Sequence, residues 1–172
     1  MRWIACGLIG VFFMNAAIAG NFVVTSNSFV DGGTVPVQYT CDGKDVSPEL
    51  SWSNPPKNTQ SLVLIVSDPD APGGIFYHWV VYNIPASAKE LLENSQNLPQ
   101  GTSVGKNSWD KNQYNGPCPP RGTAHTYDFT LYALNAPVKI PAGADGITVL
   151  DSIKDHVIKK VQITTVYSRW LK

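Results

Sequence analysis

Apolar positions in this chain follow the two-residue period of strands far more often than the helical period. Phe22–Thr25 and Val35–Tyr39 are short β-type runs separated by the turn signal Asp31-Gly32-Gly33. Pro36 suits a strand start or sheet edge, since it cannot donate to a ladder. Leu50-Ser51-Trp52 precedes the stop Pro55-Pro56. Ser61–Ser67 is continuously apolar between its two serines, the pattern of a strand buried on both faces. Phe76–Ile84 is a second aromatic and β-branched run, closed by Pro85. Tyr127–Leu134 alternates and predicts a half-buried strand, and Val161–Tyr167 predicts another.

Helical signal is scarce. Ala88–Glu93 is long enough for one short turn or helix. Thr148–Lys160 is the clear helix prediction: Thr148 with Asp151 resembles a capping box, and Val149, Ile153, Val157 and Val161 recur every four residues. His156 falls in that helix, away from the other histidines, and reads as structural or solvent-facing. The pattern predicts a mainly β fold, a sandwich or large sheet with peripheral helices.

The first nineteen residues read as an address. Arg2 provides a positive start, Trp3–Met14 is mainly apolar, and Ala17-Ile18-Ala19 fits a small-x-small cleavage site. The apolar run is short for a membrane-spanning helix, and an uncleaved anchor is the alternative. Residues 1–19 are therefore expected to be a signal peptide and 20–172 one domain, periplasmic or secreted from a bacterium after cleavage near Ala19. No repeat, charge block or low-complexity linker divides 20–172.

Without Arg2 the chain has twelve basic and thirteen acidic residues, a balance that argues against nucleic acid or an anionic membrane surface as partner. Cys6 lies within the leader, leaving Cys41 and Cys118. An even count in an oxidising compartment favours a disulfide; two free thiols are the alternative. The pair alone does not make a metal site, because no other Cys or His lies at ligand spacing.

Three stretches carry chemistry. Asp68-Pro69-Asp70-Ala71-Pro72 follows a buried strand, so two carboxylates emerge at its end with their directions set by the prolines. His78 and Trp79 lie in the next strand, where a neighbouring carboxylate would fix the imidazole tautomer. Gly116-Pro-Cys-Pro-Pro-Arg-Gly-Thr-Ala-His125-Thr-Tyr127 combines a Gly/Pro loop, able to present backbone N–H groups to an anion, with a histidine and a tyrosine on one strand face. Taken singly, these are a capped turn, a core histidine and a Pro-rich surface loop.

Enzyme templates fit poorly: the sequence has no zinc-protease helix, Walker loop or dinucleotide fingerprint. Cys118 near His125 would suggest a thiol nucleophile, which a disulfide would disarm. A triad of Asp68, His125 and Ser67 or Ser108 can be drawn, as in any domain this size.

Together the motifs resemble the phosphatidylethanolamine-binding protein family, which includes the Raf kinase inhibitor proteins. The resemblance rests on Asp68-Pro-Asp-Ala-Pro72, His78 five residues before Asn83, and Gly116-x-x-Pro-Pro-x-Gly-x-x-His125-x-Tyr127. Cys41-Asp42-Gly43, Ser47-Pro48-x-Leu50-x-Trp52 and Gly116-Pro-Cys-Pro-Pro120 resemble its bacterial branch, and the likeness spans about residues 22–170. It implies a large antiparallel sheet packed on a smaller one with a few peripheral helices. It also implies a pocket for phosphate, acetate or a phosphorylated headgroup, lined by Asp68, Asp70, His78, Gly116, His125 and Tyr127.

Phe76 stands where some eukaryotic members carry a tryptophan at the pocket mouth. The segment from Pro72 to His78 is short, which removes support for a kinase-binding surface of the eukaryotic kind. The expectation is an exported, non-enzymatic binding protein for a small anion, needing no cofactor or metal, with exposed edge strands that permit a homodimer. The alternatives are an inhibitor of a protein partner (protease, kinase or host factor) and a weak hydrolase using Asp68 and His125.

Overall fold

A computed structural model describes residues 20–170; the expected signal peptide lies outside the described residues. In chain order the elements are β1 (Val23–Thr25), a 3₁₀ turn (Val37–Tyr39), β2 (Leu50–Ser53), β3 (Ser61–Asp68), β4 (Phe76–Pro85), β5 (Glu90–Leu91), β6 (Ser103–Val104), β7 (Ala124–Leu134), α1 (Gly146–Ile153) and β8 (Val157–Ser168). They form a three-stranded sheet ordered β1-β2-β5 and a five-stranded sheet ordered β6-β4-β3-β7-β8, with every strand pair antiparallel. The fold is mainly β, as its periodicity predicts.

The centre is β3, whose continuous apolar run is buried on both faces. Leu62, Leu64 and Val66 join the larger core with Val24, Leu50 and Trp52 of the smaller sheet. Val63 and Ile65 face the other way, onto Val149 and Ile153 of α1. Each such side chain contributes roughly 1.5–3 kcal/mol on full burial, so β3 fixes both layers at once.

Two irregularities in β4 set the direction of its side chains. Its register against β3 shifts between Leu62 and Leu64 and again between Val66 and Ser67. The first shift surrounds Asn83, which has φ +57° and whose amide clasps both backbone groups of Val138. In the second, Val66 opposes Trp79 and Ser67 opposes Tyr77, so His78 is the extra residue. A bulge of this kind re-aims side chains and breaks strict alternation. Tyr77 consequently packs towards α1 while Trp79 packs between the sheets, and His78 turns its ring to Tyr127 on the inter-sheet side.

Three local expectations need correction. Val35–Tyr39 is not a strand: Thr34 makes a single parallel bridge to Val166, after which Pro36, at φ −60°, starts a 3₁₀ turn. Ala88–Glu93 contributes the short strand β5 and no helix. The predicted helix Thr148–Lys160 stops at Ile153 and starts earlier, with Asp145 accepting from the Thr148 N–H at 2.7 Å in place of a Thr148 cap. Val157 and Val161 share the helical spacing but sit in β8, paired to Leu134 and Leu131. β7 is eleven residues long and needs a ladder partner throughout, and that demand overrides the local pattern. His156 ends up in the intervening turn, exposed and hydrogen-bonded to Asn135.

Cys41 and Cys118 form a disulfide across a sequence separation of 77 residues. Closing a loop of that length removes at most about 4–5 kcal/mol of unfolded-state entropy. Urea unfolding of a Cys41→Ser/Cys118→Ser double variant is expected to show a loss approaching that figure; a loss below about 1 kcal/mol would mean that the bridge does little to constrain the unfolded chain.

Candidate functional site

At the β4–β7 end of the inter-sheet layer lies a cavity of 310 Å³. The ends of β3 and β4 bring Asp68, Phe76 and His78 to it, the start of β7 brings His125, and Cys118-Pro119-Pro120 and Trp109 complete the wall. Of the six residues the family resemblance implies, Asp68, His78 and His125 line this cavity. The other three lie beside it.

Asp68 is 4 % exposed and is consumed by two contacts: Oδ1 accepts the Asp70 N–H at 2.8 Å, and Oδ2 lies 2.7 Å from His125 Nδ1. The first contact is the local turn that Pro69 and Pro72 rigidify. The second fixes the proton of His125 on Nδ1 and leaves Nε2 as the edge available to the cavity.

His78, 2 % exposed, is fixed in the same sense by a different partner. Its Nδ1 lies 2.7 Å from the Asn115 carbonyl, and the Asn115 N–H returns to the His78 carbonyl at 3.1 Å. A carbonyl only accepts, so Nδ1 carries the hydrogen and Nε2 is free of partners among the described residues. Burial pushes the His78 pKa below its ordinary value, against the opposing pull of the Asn115 bond and the Asp68 charge. The neutral ring therefore presents a lone pair at Nε2.

Asp70, Gly116 and Tyr127 have other duties. Asp70 points away from the cavity and accepts from the Thr126 N–H at 2.7 Å and its hydroxyl at 2.5 Å, tying the acidic turn to β7 and lowering its own pKa. Gly116 is no free anion donor: its N–H is given to Asp45 Oδ1 at 2.6 Å. Its glycine identity answers to packing, because a Cβ there would run into the Tyr39 carbonyl. Tyr127 is fully buried behind His78, ring centroids 5.3 Å apart. Its hydroxyl sits near the Asp68 carboxylate and the Cys118 backbone without a well-formed hydrogen bond to either. Burial, and then the nearby Asp68 charge, push the phenol far above its usual pKa, so it remains a donor.

Three residues that the sequence patterns do not single out shape the site. Trp109 stacks edge-on against both Phe76 (4.5 Å) and His78 (5.1 Å) and forms the aromatic lip. Asn107, buried, accepts the Trp109 and Lys111 N–H groups at Oδ1 and donates to the Asn115 side chain at 2.9 Å. Asp45 accepts from the Asn115 amide at 3.0 Å as well as from Gly116. Asp45 and Asn107 therefore grip Asn115 from two sides, and Asn115 grips His78. The only sequence signal for Asp45 is its place after Cys41-Asp-Gly-Lys, with φ +55°.

Known proteins share this fold. Residues 25–168 match the family model described as phosphatidylethanolamine-binding protein. A UPF0098 protein of Aquifex aeolicus is 43 % identical over 150 residues, covering 85 % of this chain and 88 % of that relative. A Mycobacterium tuberculosis protein carrying a lipoprotein name, LppC, is 39 % identical over 139 residues, covering 80 % of this chain and 68 % of its own length. Among solved structures, Escherichia coli YbcL, described as a member of the mammalian PEBP family, superposes with a TM-score of 0.83 at 32 % identity, covering 89 % of this chain and all of YbcL. CT736 of Chlamydia trachomatis gives 0.80 at 33 % identity, covering 86 % and 97 %.

Two outcomes are expected. ¹⁵N-detected NMR should show His78 as the neutral Nδ1–H tautomer at pH 7, titrating below 6.5. The unfolded chain protonates this ring near its ordinary value and the folded chain only below it, so stability in urea should fall as pH drops through that window. Asp45→Asn keeps one acceptor but sets an amide donor against the Asn115 amide. It should cost about 1.5–3 kcal/mol and shift the His78 ring towards a tautomer mixture; an unchanged His78 spectrum would show that Asp45 does not position it.

Proposed function

Because the chain belongs to the phosphatidylethanolamine-binding protein family, we propose that it is an exported binding protein whose 310 Å³ cavity receives a small anion, best a phosphorylated headgroup, without turning it over. One observation carries this reading: two buried imidazoles, each tied at Nδ1, leave both Nε2 atoms for one ligand.

Their chemistry is unequal. His78, kept neutral by burial, accepts at Nε2 and asks for a hydrogen on the ligand. His125, held at Nδ1 by the Asp68 carboxylate, turns its Nε2 edge to the same ligand. A phosphate monoester near its second pKa of about 6 carries both a P–OH, the hydrogen that His78 asks for, and bare oxygens for any donor in the cavity. The Phe76–Trp109 lip and exposed Ile75 add apolar surface beside this polar floor, which suits a headgroup with an organic substituent better than bare phosphate.

Binding is favoured over hydrolysis through a thiol, hydroxyl or amine nucleophile, because none is free among the described residues that line the wall. Cys118, the cavity's sulfur, is held in the disulfide, and no serine, threonine or lysine is among the described residues that line the wall. The leader expected at residues 1–19 and the lipoprotein name of the mycobacterial relative support export.

NMR titration with inorganic phosphate and, separately, phosphoethanolamine tests this. Both should move the His78 and His125 side-chain resonances at millimolar concentration or below, phosphoethanolamine at the lower concentration, with weaker binding at pH 8 than at pH 6. His125→Ala should weaken both by about tenfold or more. Imidazole resonances that stay unmoved at millimolar ligand would refute the reading, and turnover of a phosphoester panel lost in His125→Ala would replace it with hydrolysis.

A further inference from the structure

The cavity with the two imidazoles is not the largest hollow. A groove of 450 Å³ lies beside it, on the far side of the Tyr114–Cys118 segment: Tyr114 lines the groove, and Cys118 lines the smaller cavity. The β4 bulge links the two, since His78 turns to one and its neighbour Trp79 to the other.

The chemistry of the groove differs from that of its neighbour. Its polar wall carries Asn94, Gln96, Asn112 and Gln113 but no lysine, arginine or histidine. Its carboxylate, Asp45, already accepts from Gly116 and Asn115. The Asn94 and Gln96 side chains make no hydrogen bonds among the described residues. Asn112 donates to the Val104 carbonyl at 3.2 Å and Gln113 to Asn115 at 3.3 Å, so both keep their amide oxygens free.

At the floor is Trp79, only 2 % exposed, whose indole N–H finds no acceptor among the described residues. The other core tryptophan of this layer, Trp52, donates to the Ala88 carbonyl at 2.9 Å. The indole nitrogen, without a protein partner and not sealed from solvent, is a donor open at the base of the hollow.

We infer that this groove is a second binding site, and that it takes a neutral saccharide. Side-chain amides offer a donor and an acceptor side by side, which matches adjacent hydroxyls, and a sugar hydroxyl or ring oxygen supplies the acceptor that Trp79 lacks. Anions and cations find no opposite charge in the wall that is not already engaged. An extended peptide added to the sheet edge is disfavoured, because β6 has two residues and its Val104 carbonyl is occupied by Asn112.

The test uses neutral disaccharides, maltose and N,N′-diacetylchitobiose, with an acetylated tripeptide amide as the competing class. In ¹H–¹⁵N spectra the Trp79 indole cross-peak should move saturably with at least one disaccharide at millimolar concentration, while the His78 and His125 resonances stay in place. An Asn94→Ala/Gln96→Ala double variant, altered only at the groove wall, should weaken that response by about tenfold and leave phosphate binding intact. An indole signal that ignores both sugars, a response that survives the double variant, or one that follows only the peptide would each overturn the inference.

Discussion

His78 and Asn115 hold each other twice, ring to carbonyl and amide to carbonyl, at 2.7 and 3.1 Å. Neither contact would form in a regular strand. The extra residue in β4 lets the imidazole leave the alternation and meet the loop that crosses from Tyr114 to Cys118. Around that clasp the remaining groups fall into order. Asp45 and Asn107 fix the loop, the loop fixes the ring, and the ring with Trp109 and Phe76 defines one side of the cavity. Opposite it, Asp68 sets His125 in the same tautomer by a separate route.

The wall between these sides is covalently restrained. The Cys41–Cys118 bridge ties the Pro-rich loop to the segment after the 3₁₀ turn, one residue before Asp42. Asp42 is in turn gripped by Arg169 at 2.9–3.1 Å and by the Tyr167 hydroxyl at 2.9 Å, contacts that hold its carboxyl below the ordinary range. Exposed ion pairs of this kind contribute little to stability, and their value here is positional. They dock the end of β8 against the loop that carries the disulfide. Rigidity of this kind serves the proposed recognition, since rings set in advance leave binding energy unspent on ordering the site.

Much of this is legible in the residues, for identifiable reasons. β3 reads directly because a strand buried on both faces must be apolar throughout, and Ser61–Ser67 is. Asp68, His78 and His125 stand out because they are charged or titratable groups set in apolar or proline-rich runs. The helical pattern overshoots because Val157 and Val161 satisfy both periods, and only the length of β7 decides between them. The freedom of φ at Gly116 suggests anion binding, whereas its neighbours use its missing side chain. Asp45, Asn107 and Asn115 carry no such mark. They act through loop backbone groups brought together from distant positions, and their types are ordinary for turns.

The central claim is that two buried histidines with tethered Nδ1 atoms share one anionic ligand. A crystal structure grown at pH 6 with phosphoethanolamine measures this most directly. The expected result is a phosphate within hydrogen-bond distance of Nε2 of both His78 and His125, with the Asn115 and Asp68 contacts to Nδ1 intact. A phosphate bound elsewhere, or an imidazole rotated to release its Nδ1 partner, would contradict it.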